Sequence, residues 1–150
     1  MARRKILKGR RPTAASGGFA KRNYSYADWT KGRFSEVVTV TGPGKLIFLA
    51  GVGAEDENGD GIRHKDDFAA QARYAYGKIK RHLAKHGAGL ADIVKMVSYV
   101  TDIRYLQTYN QIRVETFGSA PLPAHTLLTI SQLAWPGMLV EIDVTAAIPA

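Results

Sequence analysis

The chain has 150 residues, 45% hydrophobic and 23% charged, the composition of one ordinary globular domain with enough length for a real core. It has no cysteine, which excludes disulfides, thiol catalysis and thiolate metal sites. Its formal charge of +8 is confined to one end: residues 1–33 carry a net +9 and residues 34–150 a net −1.

No apolar run approaches the roughly 20 residues of a membrane span, and the basic start MARRKILKGRRP lacks the apolar centre of a secretory signal. A cytoplasmic protein with no membrane partner is the expectation. The near-neutral body has no stripe of interleaved basic and aromatic residues, so nucleic acid is not an expected partner of the body; only the arm could touch it. The expected organisation is a basic, disordered arm over residues 1–21 and a single domain over 22–150.

Tyr24, Tyr26 and Trp29 fall within six residues, a density that predicts packing, here as a lid at a cleft mouth. Residues 34–41 read as a strand and Gly42-Pro43-Gly44 as a turn. The apolar run 45–52 reads as a strand buried on both sides, so the two predict an antiparallel hairpin. In the polar loop that follows, Asp56, Asn58, Asp60 and Asp67 have the spacing of a calcium loop. An apolar strand precedes them, Arg63 stands where an apolar residue is usual, and the last ligand is not Glu, so a plain turn accounts for them.

Residues 66–86 predict a helix, with Phe68, Ala72, Ala75, Ile79 and Leu83 on one stripe, Asp66 or Asp67 as cap and Gly87 as terminator. His82 and His86 are four apart but have no third ligand near them in sequence. Residues 91–100 predict a strand. A second helix over 103–117, capped by Asp102, has Leu106, Tyr109, Ile112, Val114 and Phe117 as its apolar face. Asn110 lies on the Phe117 side and needs a partner. It either bonds loop backbone or shapes the wall of a site.

Residues 124–131 and 138–146 alternate with a period of two around the connection QLAWPG, which predicts a closing hairpin. His125 opens its first strand and Glu141 and Asp143 occupy its second, so pairing would bring an imidazole to two carboxylates. The element order is ββ-α-β-α-ββ: an α+β domain whose mainly antiparallel sheet carries two helices on one face. The other face has no cover within the chain, which calls for an oligomer.

The segments IFLAG (47–51), the helix at 69–84, GAGLADIVKMVSYVTDI (87–103), YNQI (109–112), LPAHTLLTI (122–130) and LAWPGMLVEIDVTA (133–146) together resemble the YjgF family, which includes RidA-type enamine/imine deaminases. The resemblance spans about residues 33–148. It implies a chorismate-mutase-like fold, a homotrimer around a central barrel, small-molecule ligands in clefts between subunits, and neither cofactor nor metal.

It also implies a site, altered in this chain. His125 stands where the deaminases grip the substrate carboxylate with arginine. Phe34 replaces their first-strand tyrosine, Leu127 a hydroxyl- or thiol-bearing residue, and Asp143 a glutamate. Gly51 and Asn110 are retained, and Glu141 matches an acidic position. The catalytic candidates are therefore His125 and Asp143; the substrate-binding ones are Phe34, Gly51, Asn110, Leu127 and Glu141. Losing the permanent, bidentate arginine fork predicts weak action on imines of simple 2-amino acids. The remaining set suits another reactive imine, enamine or aminomuconate-like compound, with His125 donating a proton and Asp143 positioning water. The alternatives are a non-catalytic trimeric metabolite-binding protein and an RNA-acting one, since some family members are described as endoribonucleases.

Overall fold

A computed structural model describes residues 17–150. The disorder expected for residues 1–16 lies outside the described residues. The elements are β1 (Ala20–Tyr24), a 3-10 turn (Asp28–Thr30), β2 (Val37–Thr41), β3 (Gly44–Gly53), α1 (Phe68–Ala84), β4 (Ile93–Val100), α2 (Leu106–Phe117), β5 (Ala124–Thr129) and β6 (Val140–Pro149), with short 3-10 turns before β4 and α2. No helix among the described residues is long and apolar enough to cross a membrane.

Four strands form the main sheet in the order β3-β6-β4-β5. Its pairs are antiparallel except β4–β5, which are parallel and joined by the α2 crossover. The fold is α+β with both helices on one face, as the sequence predicts.

Both predicted hairpins are replaced by other pairings. β2 does not pair with β3; it pairs antiparallel with β1, in a separate two-stranded sheet. β1 takes in Ala20 and Lys21, so the ordered domain starts before the expected boundary at residue 22. The strand was hidden because Ala-Lys-Arg-Asn-Tyr has no apolar alternation. At the other end β5 and β6 are separated by β4. The segment between them, residues 130–139, exceeds the two to five residues of a usual hairpin loop. A period of two fixes which face a side chain takes but not which strand lies beside it.

The core lies between α1 and the sheet. Phe68, Ala72, Ala75, Ile79 and Leu83 pack with Ile47, Val52, Ile142, Val144 and Ala146. The alanines bring the helix axis close to the strands. Asp67 caps α1, its carboxylate accepting the Ala70 N–H at 2.9 Å. Asp67→Ala is expected to cost about 1 kcal/mol, which lowers the melting temperature by roughly 2–4 °C in a chain of this size. An unchanged calorimetric transition would show that the cap contributes nothing. The Asp56 loop is a turn: the buried Asp56 carboxylate accepts the Asn58 N–H at 2.8 Å and pairs with Arg63. These partners, Asn58 first, hold its carboxyl below the usual range.

Register fixes the sheet's other face. Val97 lies opposite Asp143 and Thr126, and Tyr99 opposite Glu141 and Leu128. Phe48 lies opposite Thr145. All of these point away from the helices, and Phe48 is 72% exposed.

Candidate active site

The site begins where the small sheet meets the main one. Ser35 bridges in parallel to Ala124, and its N–H donates to the Pro123 carbonyl at 3.0 Å. The Ser35 hydroxyl and the Asn23 amide both donate to the Leu122 carbonyl, at 2.6 and 2.9 Å. This lashing sets Phe34 beside His125. The Glu36 carboxylate accepts N–H groups of Ala27 and Tyr26 and the Thr30 hydroxyl, which hold it below its usual range and shape the turn carrying Trp29. Trp29 meets Phe34 edge-on, with centroids 5.5 Å apart.

 Between this turn, α2 and β5 lies a cleft of about 620 Å3. A separate depression of about 720 Å3 is lined by Gly51, Glu55, Lys78, His82 and His86. The β5 cleft is lined by Phe34, Asn110, His125 and Leu127, four of the seven predicted site residues, together with Trp29, Arg33, Leu106, Gln107, Arg113 and Val114. The aromatic cluster thus supplies Trp29 to the mouth, while Tyr24 stacks on Tyr26 at 6.2 Å.

His125 lies over the Tyr109 ring, centroids 6.0 Å apart, with Nε2 3.0 Å from the Ser98 hydroxyl. Ser98 bonds Tyr109, whose hydroxyl is 2.8 Å from that of Tyr76, and Tyr76 donates to the Met96 sulfur at 3.8 Å. A thioether sulfur only accepts, which gives the chain a direction. Tyr109 then donates to Tyr76, Ser98 to Tyr109, and His125 Nε2–H to Ser98, leaving Nδ1 as an acceptor. Burial, then the positive charges of Arg113 and Lys95, lower the His125 pKa from 6.5 to about 3. The imidazole is neutral at pH 7.

Asn110 shapes the cleft wall, and its partner is a side chain rather than loop backbone: its Oδ1 accepts from Arg113 at 3.2 Å. Arg113 is 2% exposed and also donates to the Arg33 carbonyl. Of the apolar face expected for α2, Tyr109, Ile112 and Phe117 are buried, but Arg113 takes the place given to Leu106 and Val114. The helix buries Tyr109, Ile112, Arg113 and Phe117, while Leu106 and Val114 are 38% and 44% exposed and line the cleft. The available signal was the spacing of Tyr109, Arg113 and Phe117, four apart on one stripe.

The other three predicted residues lie on the opposite sheet face. A Cβ on Gly51 would come within 2.0 Å of Glu141 Oε1, so the glycine lets that carboxyl lie against the backbone. Burial, then Asp143 and Glu55, raise the Glu141 pKa. The Tyr99 hydroxyl donates to Asp143 at 3.2 Å. His125 pairs with Met96 and Asp143 with Val97, and adjacent residues of β4 point to opposite faces. The expected meeting of His125 with Asp143 therefore does not occur within one chain.

A family model described as Endoribonuclease L-PSP matches residues 27–148. The chain belongs to this family, the YjgF/RidA family. A RutC family protein of Pyrococcus abyssi is 30% identical over 77% of this chain and 86% of its own length. Among solved structures, the Rid-family protein YyfB of Yersinia pestis, of unknown function, is 27% identical with a TM-score of 0.76, covering 85% of this chain and 98% of that one. RidA from an Antarctic Psychrobacter is 25% identical with a TM-score of 0.63, covering 84% and 94%.

Proposed function

We propose that this YjgF-family chain is a cytoplasmic RidA-like hydrolase that deaminates a small reactive imine or enamine, in a cleft completed by a second copy within a homotrimer. The observation that carries the reading is the neutral His125 held beside Asn110 in a largely apolar cleft, while Gly51, Glu141 and Asp143 lie on the uncovered sheet face that a neighbouring copy would present. Hydrolysis needs a proton on nitrogen, or on carbon for an enamine, and water at the C=N carbon. Water adds to give a carbinolamine, whose C–N bond breaks to release ammonia and a carbonyl compound. The roles differ from those expected from sequence, where His125 donates and Asp143 positions water. His125 Nδ1 accepts a hydrogen bond from the water and aims it, and Glu141, with its raised pKa, is the better proton donor.

The test is ammonia release from imines generated in situ by an amino-acid oxidase. His125→Ala and Glu141→Gln are each expected to lower turnover by about 100-fold or more with the assembly intact. Full activity in both would remove the chemistry from this cleft. A second reading, a binding protein without catalysis, is favoured by one observation: burial and the charges of Arg113 and Lys95 depress the His125 pKa to about 3, which leaves the imidazole a weak base toward water. Saturable ligand binding with no ammonia release from any imine would establish it.

A further inference from the structure

Arg113 has no role in the chemistry above, and it is an unusual residue to bury. It is 2% exposed, and among the described residues no carboxylate lies within ion-pair distance. Its two bonds go to neutral acceptors, the Arg33 carbonyl and Asn110 Oδ1, and its Nε has no partner. A buried guanidinium keeps its charge, and a buried charge without a counter-ion is costly. The cleft beside it contains a second arginine, Arg33, and no acid among its lining residues. The remaining walls are apolar or aromatic: Trp29, Phe34, Leu106, Val114 and Leu127.

We infer that this cleft binds an apolar or aromatic oxyanion, its anionic head on Arg113 and its body between Trp29, Phe34 and Leu127. The grip comes from α2, on the helix side of the cleft, rather than from the start of β5, where His125 stands. It therefore sets a different placement of the ligand and leaves apolar room beyond the head. A carboxylate and a phosphonate share the needed chemistry. The inference rests on the cleft being a small-molecule site, and not on its being catalytic.

The probes are phenylacetate, phenylphosphonate and the neutral phenylacetamide, titrated by calorimetry into the full-length protein. At least one anion is expected to bind at least 30-fold more tightly than the amide, and Arg113→Gln is expected to abolish that preference. Nitrogen-detected NMR of the wild type gives an independent reading should the variant fail to fold: the Arg113 Nε–H resonance is expected to shift on anion binding. Equal binding of anion and amide, no binding of either anion, an unmoved Nε–H resonance, or an anion preference that survives in folded Arg113→Gln would each overturn the inference. Anion binding through Arg113 without imine turnover would leave it standing and remove the catalytic reading alone. Turnover that depends on His125 without anion binding would do the reverse.

Discussion

Between pH 7 and pH 5 the native protein is expected to lose about 2 kcal/mol of stability through His125 alone. The folded-state pKa is depressed from 6.5 to about 3. Below 6.5 the unfolded chain takes up a proton that the folded chain refuses, so the stability is fully present above 6.5 and is lost as pH falls toward 3. The full loss is on the order of 4–5 kcal/mol, at about 1.4 kcal/mol per pKa unit. Carboxylates such as Asp56 and Glu36, held below their usual range, add their own acid sensitivity. The His125 contribution is therefore read as a difference. Urea denaturation of wild type and His125→Gln at pH 7 and pH 5 is expected to show their stability gap shrinking by about 2 kcal/mol. Parallel pH profiles would mean that His125 titrates normally and is more exposed to water than the Ser98–Tyr109–Tyr76 chain implies.

The elements of this fold were legible where periodicity and caps agree. Asp67 caps α1 and its alanine stripe packs on the sheet, and the alternation of 140–146 gives a strand with Val140, Ile142 and Val144 inward. Strand partners were not legible. The alternation of residues 124–129 places His125 and Leu127 on one face, but nothing local states that β4, two elements back, lies beside them. The site was half legible for the same reason. Phe34, Asn110, His125 and Leu127 meet in one cleft, whereas Gly51, Glu141 and Asp143 occupy the other face. Arg113 escaped because a charged residue on a helix is ordinarily assigned to solvent. Its position between Tyr109 and Phe117 outweighs that rule, since the stripe is set by packing and the guanidinium found polar partners there.

Phe48→Asp is expected to convert the assembled protein into monomers. The helices cover one sheet face only, and the other presents Phe48 at 72% exposure with Leu46 at 55% and Leu128 at 46%. Apolar area of this kind is normally covered by another surface. In a homotrimer, each of three equivalent contacts would lose about 2–3 kcal/mol of phenylalanine burial. Each would also gain a carboxylate on a face that already carries Glu141 and Asp143, whose proximity helps raise the Glu141 pKa. An unpaired charge in such an interface adds roughly 3–5 kcal/mol more. The combined penalty, about 5–8 kcal/mol at each of three contacts, is comparable to the roughly 8 kcal/mol that holds one micromolar association step. Light scattering at micromolar concentration should give three times the 16.4 kDa chain mass for wild type and the single-chain mass for Phe48→Asp. A wild-type monomer would remove the trimer, and with it the cleft that needs Glu141 from a neighbour. A Phe48→Asp variant that still assembles would place the contact on another surface. Because the variant leaves His125 and Arg113 untouched, retained binding of a phenyl oxyanion in the monomer would show that the β5 cleft is complete within one chain, while lost imine turnover would show that the chemistry is not.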